Sequence, residues 1–328
     1  MRNPGLALLL AAACGAAQAQ PSAPFPDGPR IPSLPEAAFE RIDQALRDRV
    51  ASADGADAQF VRGLQATMDP GARIAGYADA WRRRPDEILF LASLADACMV
   101  RAIPSWPDCA ALDPVSRWAA RDGGNAVPWV LLAERARQRG DLPGMRAQLA
   151  QAAASGRFDS YRERGGPAVW RVLAAAPAVA GEPEAPFASA ALGAARADVA
   201  TTEAATMCRR GAPGVDDEVE ASCRALARTM AGRADTYAAR LVGLALAWSW
   251  APGDDERRRL SAERDRTEAA SLQCGNAKLA LIESLNRDAA SRETSRRIQA
   301  AALDDAATKD EAAVCASLVA RAREARLL

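Results

Sequence analysis

The chain has 328 residues, 49% of them apolar, with 42 basic side chains against 42 acidic ones and no histidine. This is enough apolar material for a real core, and it excludes disorder, collagen and a polytopic membrane protein. Balanced charge also argues against a dedicated nucleic-acid binder, whose phosphate contacts need a basic surplus.

Arg2 is followed by an apolar run over 6–17 and then by Ala17-Gln18-Ala19. A basic start, a short apolar stretch and a small-x-small site read as a secretory signal over 1–19, and the run is too short to be a permanent membrane span. Cys14 offers a second outcome, because Leu10-Ala11-Ala12-Ala13-Cys14-Gly15 resembles a bacterial lipoprotein processing site, with Ala11 where such sites usually carry Leu. Simple cleavage and lipidation of Cys14 both remain open. The expected location is therefore periplasmic or secreted, with outer-membrane anchoring through Cys14 as the only membrane contact. Residues 20–35 carry six Pro, so they form a stiff, extended linker.

From Pro35 onward, helix punctuation dominates. Ser33-Leu34-Pro35-Glu36 is a capping box that opens a helix running towards Val50. Asp113-Pro114 and Asp141-Leu142-Pro143 repeat a signal of Asp cap and early Pro, and Gly253-Asp254-Asp255-Glu256 places acids where the helix dipole favours them. Apolar stripes of helical period recur at Leu91, Leu94, Ala95, Cys98; at Leu241, Leu244, Ala245, Trp248; and at Cys315, Leu318, Val319, Ala322. Sustained two-residue alternation is nearly absent. The expected fold class is all-α, made of antiparallel helix pairs without a sheet. Its 81 Ala residues favour close helix approach.

Residues 126–152 hold Trp129, Leu132 and Ala133, then Gly140-Asp141, Leu149 and Ala152. This spacing resembles a tetratricopeptide repeat, a helix and a Gly-Asp turn with a second helix packed back. Phe90 stands 39 positions before Trp129 in a weaker copy, where Ser93 replaces a Leu and a Cys98–Cys109 loop replaces the turn. Met145 and Arg157 depart from the pattern, and the resemblance covers about 86–158. It implies a solenoid-like helical region over 36–176 that binds peptide. Residues 177–186, with Pro177, Gly181, Pro183 and Pro186, mark a linker to a second helical region over 187–328, for which five or six further helices are expected.

Apart from Cys14 there are six cysteines: Cys98, Cys109, Cys208, Cys223, Cys274 and Cys315. An even number in an exported chain points to disulfides, with fifteen possible connectivities. Zinc fits poorly, since the chain has no His and no CxxC pair. Proximity and helix patterning favour Cys98–Cys109, Cys208–Cys223 and Cys274–Cys315.

Without His, the chain cannot form a Ser-His-Asp triad or an HExxH site, and no phosphate loop is present. No cofactor, metal or catalytic residue is expected. The enzyme alternative is a carboxylate-based cell-wall hydrolase using Glu283, which is followed by Ser284 as in exported peptidoglycan-cleaving enzymes but lacks their downstream Gly-Leu-Met-Gln motif. Arg82-Arg83-Arg84 and Arg257-Arg258-Arg259 read as solvated helix ends rather than anion sites. Trp248-Ser249-Trp250 could stack on a sugar, but Trp248 continues an apolar stripe and reads as core. Trp81, Trp118 and Trp129 read as wedges between helices. The expected function is a non-enzymatic, exported scaffold that presents a groove to a protein or peptide, with Trp129, Leu132, Arg135 and Arg139 on its inner helix. A purely structural outer-membrane lipoprotein is the remaining possibility.

Overall fold

Every regular element among the residues described by the computed structural model, 36–99, 106–196, 198–212 and 215–328, is a helix. The signal, Cys14, the Pro-rich linker and the Ser33 capping box lie outside the described residues. The N-terminal helices are α1 Glu36–Ser52, α2 Ala56–Gln65, α3 Pro70–Arg83, α4 Ile88–Met99, α5 Pro107–Leu112, α6 Pro114–Arg121, α7 Ala126–Gln138, α8 Leu142–Ala154 and α9 Gly165–Ala174. Seven more follow, rather than five or six: α10 Ala185–Gly193, α11 Val199–Met207, α12 Asp217–Arg233, α13 Tyr237–Ser249, α14 Asp254–Ser284, α15 Ala289–Ala306 and α16 Glu311–Glu324.

Short polar caps explain most of the helix starts. Asp69, Asn125, Asp141, Asp198, Asp216, Thr236, Asp288 and Asp310 each accept a hydrogen bond from an amide of the following turn. Asp113 departs from the expected cap. Its backbone is left-handed, with φ 39°, between α5 and α6, and its carboxylate is taken by Arg135 instead.

α7 and α8 pack on each other as a hairpin, turning at Gly140 with φ 73°. Beyond it, the open stack of a solenoid does not continue, because α8 packs on α12. Neighbouring helices instead trace a closed circuit: α2, α3, α4, α6, α7, α8, α12, α13, α14, α16, α15, α9 and back to α2. α11 crosses this circuit, touching α4, α7 and α13. Several of the tightest pairs need glycine for close approach. A Cβ on Gly76 would lie 2.6 Å from the Gly63 amide nitrogen, and one on Gly193 would lie 2.0 Å from that of Gly166.

The proposed boundary at 177–186 joins α9 to α10, which pack on each other, and the main core runs across it through Leu173, Val179 and Ala185. Ion pairs tie this connection down on both sides, Glu182 to Arg41 on α1 and Glu184 to Arg292 on α15. The circuit itself is clasped where Arg171 of α9 donates two 2.9 Å bonds to Asp57 of α2. A second core cluster fills α14–α16, with Phe187 of α10 reaching into it.

All three expected disulfides are present. Cys98–Cys109, Cys208–Cys223 and Cys274–Cys315 have Cα separations of 5.6, 5.2 and 5.3 Å, within the normal range for the bond. Among the described residues, no helix is long and apolar enough to cross a membrane.

Candidate functional site

Asn125 and the α7 stripe set the geometry of the first candidate site. Asn125 caps α7, and Trp129 and Arg135 face the turn before α7 and the start of α6, respectively. Trp129 and Leu132 are half-buried against the main core, and the Trp129 indole N–H donates to the Gly123 carbonyl at 2.9 Å. The Arg135 guanidinium donates to Asp113 at 2.6 Å and to the Ser116 hydroxyl at 2.8 Å. Arg135 thus ties α7 to the start of α6, and Trp129 ties it to the turn that precedes α7. Of the four residues singled out by sequence, Arg139, just past the end of α7, is the exposed one. It stands at the hairpin tip beside Leu142, which is 44% exposed.

The other candidates separate cleanly. Arg82, Arg83 and Arg84 pair with Asp108, Asp54 and Asp57, while Arg257, Arg258 and Arg259 pair with Asp254, Asp255 and Glu256, so both runs are locally neutralised. Trp248 is not core. It is 49% exposed, with the Arg257 guanidinium 5.6 Å from its ring centre, whereas Trp250 is buried and donates to the Cys208 carbonyl at 3.0 Å. The buried residues of α13 are Tyr237, Ala239, Gly243, Leu244 and Leu246, followed by Trp250, so Leu244 of the expected stripe is buried while Ala245 and Trp248 face solvent. Glu283 and Ser284 point apart: Glu283 is exposed, while the buried Ser284 hydroxyl bonds to the Leu281 carbonyl and to Ser295. Trp118 is fully buried, as a wedge should be.

The densest concentration of buried polar chemistry lies elsewhere, on residues 155–164. This connection between α8 and α9 is extended and runs as a strap between two turns. It makes isolated parallel bridges from Arg157 to Asn125 and from Phe158 to Ala234. Ala126 N–H donates to the Arg157 carbonyl at 2.8 Å, Phe158 N–H to the Arg233 carbonyl at 3.2 Å, and Asp235 N–H to the Phe158 carbonyl at 2.9 Å. Tyr161 adopts a left-handed backbone with φ 57°, and its hydroxyl donates to Asp122 at 2.8 Å. Burial pushes the Tyr161 hydroxyl up from its ordinary range, and Arg157 opposes the shift. A non-glycine residue in this region is uncommon, and here four hydrogen-bonded neighbours, Asp122, Arg157, Asp159 and Arg196, hold it.

Two buried carboxylates grip the strap. Asp96 of α4 pairs with Arg196, whose guanidinium also donates to the Ser160 and Tyr161 carbonyls at 3.2 and 3.1 Å. Burial pushes the Asp96 carboxyl up to about 7 against the pull of Arg196. Asp235 accepts both the amide and the hydroxyl of Ser160, at 3.0 and 2.9 Å on one oxygen, while its other oxygen is buried with no hydrogen-bond partner. Burial and the neighbouring Asp159 push the Asp235 carboxyl well above the usual carboxylate range, and the Ser160 donors only partly offset this.

The sequence reading missed Asp96, Ser160, Asp235 and Arg196, although one signal was available. Asp96 is the single charged residue in α4, the most apolar helix among the described residues, and a lone acid there implies a buried partner. No family model, curated protein or solved structure matches this chain.

Proposed function

We propose that the chain is an exported, non-enzymatic helical protein of the bacterial cell envelope that docks a protein or peptide partner on the tip of the α7–α8 hairpin. The observation that carries this reading is the set of three intramolecular disulfides, which belong with an oxidising compartment. The signal grammar of residues 1–19 agrees with it. Cys14 decides between a soluble periplasmic or secreted form and one anchored at the outer membrane, and metabolic labelling with a palmitate analogue separates the two.

The docking part rests on the tetratricopeptide-like spacing of α7 and α8, a repeat type whose family binds peptides. Arg135 is occupied by Asp113, so the partner meets Arg139 and Leu142 rather than a groove lined by Trp129, Leu132, Arg135 and Arg139 together. A photo-crosslinking amino acid at Gln138, placed in the full chain in its native envelope, is expected to trap a discrete protein adduct that Arg139→Glu diminishes. Absence of any adduct, or one indifferent to Arg139→Glu, would remove the hairpin tip as the docking element.

A further inference from the structure

We infer that residues 155–164 form a pH-operated strap, fastened while Asp235 holds a proton and loosened when that proton is lost to solvent. The inference rests on how charge is distributed around Asp235. Asp96 faces a dedicated cation, but no described basic side chain lies within ion-pair range of Asp235. Cations on the surrounding elements are committed elsewhere: Arg196 to Asp96, Arg240 of α13 to Asp310 and the Ala234 carbonyl, and Arg233 to the Gly156 carbonyl. The groups that act on Asp235 are acidic, Asp159 from the strap and Asp198 ahead of α11. Glu311, at the start of α16, uses its carboxylate on the Tyr237 amide, and the strap's own Glu163, pushed up by burial and by Glu311, is the acid that Lys278 and Arg162 act on.

One oxygen on two donors and the other on none suits a neutral carboxylic acid, which keeps both Ser160 bonds without a buried net charge. Removing the proton leaves an unpaired carboxylate among like charges in a dry site, and such a site opens rather than holds the charge. Asp235 is also a junction of the main chain. Its amide donates to the Phe158 carbonyl, and its carbonyl accepts the Glu311 amide at 2.9 Å. Release at Asp235 therefore frees the centre of the strap and the first turn of α16 together, while Arg196 keeps its grip on the Ser160 and Tyr161 carbonyls as the pivot.

Hydrogen exchange on the full chain from pH 5.5 to 9, corrected for intrinsic exchange, tests this. Amides of 157–161 and of 310–314 are expected to lose protection by about tenfold for each pH unit as pH rises towards the Asp235 midpoint and to level off above it, with α7 beyond Ala126 and α8 unchanged. Asp235→Asn retains an acceptor for Ser160 and is expected to abolish the step. A flat wild-type profile, or a step that survives Asp235→Asn, overturns the inference. Should that variant fail to fold, carboxyl carbon-13 titration of the wild type decides instead: a midpoint above the ordinary carboxylate range supports the strap, and a midpoint within it overturns it.

Discussion

Arg196 donates to Asp96 at 2.9 Å across 100 positions of sequence, and both side chains are buried. Arg196→Met at pH 8 leaves a buried carboxylate alone, which costs about 3–5 kcal/mol. Adding Asp96→Leu is expected to restore part of the loss, but not all of it, because the Ser160 and Tyr161 carbonyls have also lost their donor. Urea unfolding of the two variants measures both steps; a double variant no more stable than Arg196→Met would mean that the pair is not the main cause.

The pH dependence of Asp96 has a definite sign. Its folded value, about 7, lies above its ordinary 3.8, so the folded chain holds the proton more tightly. The resulting stabilisation is fully present below the ordinary value and fades as pH rises through about 7. Asp96→Asn should therefore flatten part of the stability change between about pH 4 and 7. Thermal melts across that window check it, and an unaltered slope would count against the shift.

Cys274–Cys315 closes 41 positions, whereas Cys98–Cys109 closes 11. Loop entropy then makes the long crosslink worth about 4 kcal/mol and the short one about 3. Paired Cys→Ser variants in denaturant titrations should keep that order, and non-reducing peptide mapping should recover only the three named pairs.

Two glycines should respond in opposite directions. Gly193→Val forces carbon into the backbone of Gly165 and Gly166, so α9 and α10 must separate, at a cost of several kcal/mol. Gly275 lies inside the 31-residue α14 with open space around it, and Gly275→Ala should stabilise by about 0.5–1 kcal/mol. Differential scanning calorimetry reads both.

Arg135 and Arg139 should separate stability from docking. Arg135→Ala removes the tie to Asp113 and Ser116 and should cost about 1 kcal/mol, because the pair is only partly buried. Arg139→Ala should leave stability within about 0.5 kcal/mol of wild type, since the side chain is exposed. Chemical denaturation distinguishes the two.

Local punctuation made much of this fold legible. The cap at Asp141, the acidic helix start at Asp254, the Cys315 to Ala322 stripe and the Cys98–Cys109 and Cys208–Cys223 pairs are short-range features, and each is read from neighbours within a few turns. The closure of α9 onto α2 was not legible, because the bond between Arg171 and Asp57 spans 114 positions and either residue alone looks like an ordinary surface charge. Trp248 misled for a related reason. Both Trp248 and Trp250 fit a helical period, and only the rotation of α13 against its neighbours decides which one turns inward. At the candidate site, the Gly-Asp turn announced the hairpin, but nothing local announced that Arg135 would spend its charge on Asp113.

A helical array with free ends can gain or lose a unit and still stand. This one cannot, because Arg171 and Glu182 tie the middle of the chain to Asp57 and Arg41 of its first helices, while Glu184 ties the same connection to Arg292 of α15. A protease nick within 177–186 should accordingly leave two fragments that travel as one particle, and deletion of α15 should unseat helices near the amino terminus as readily as its immediate neighbours.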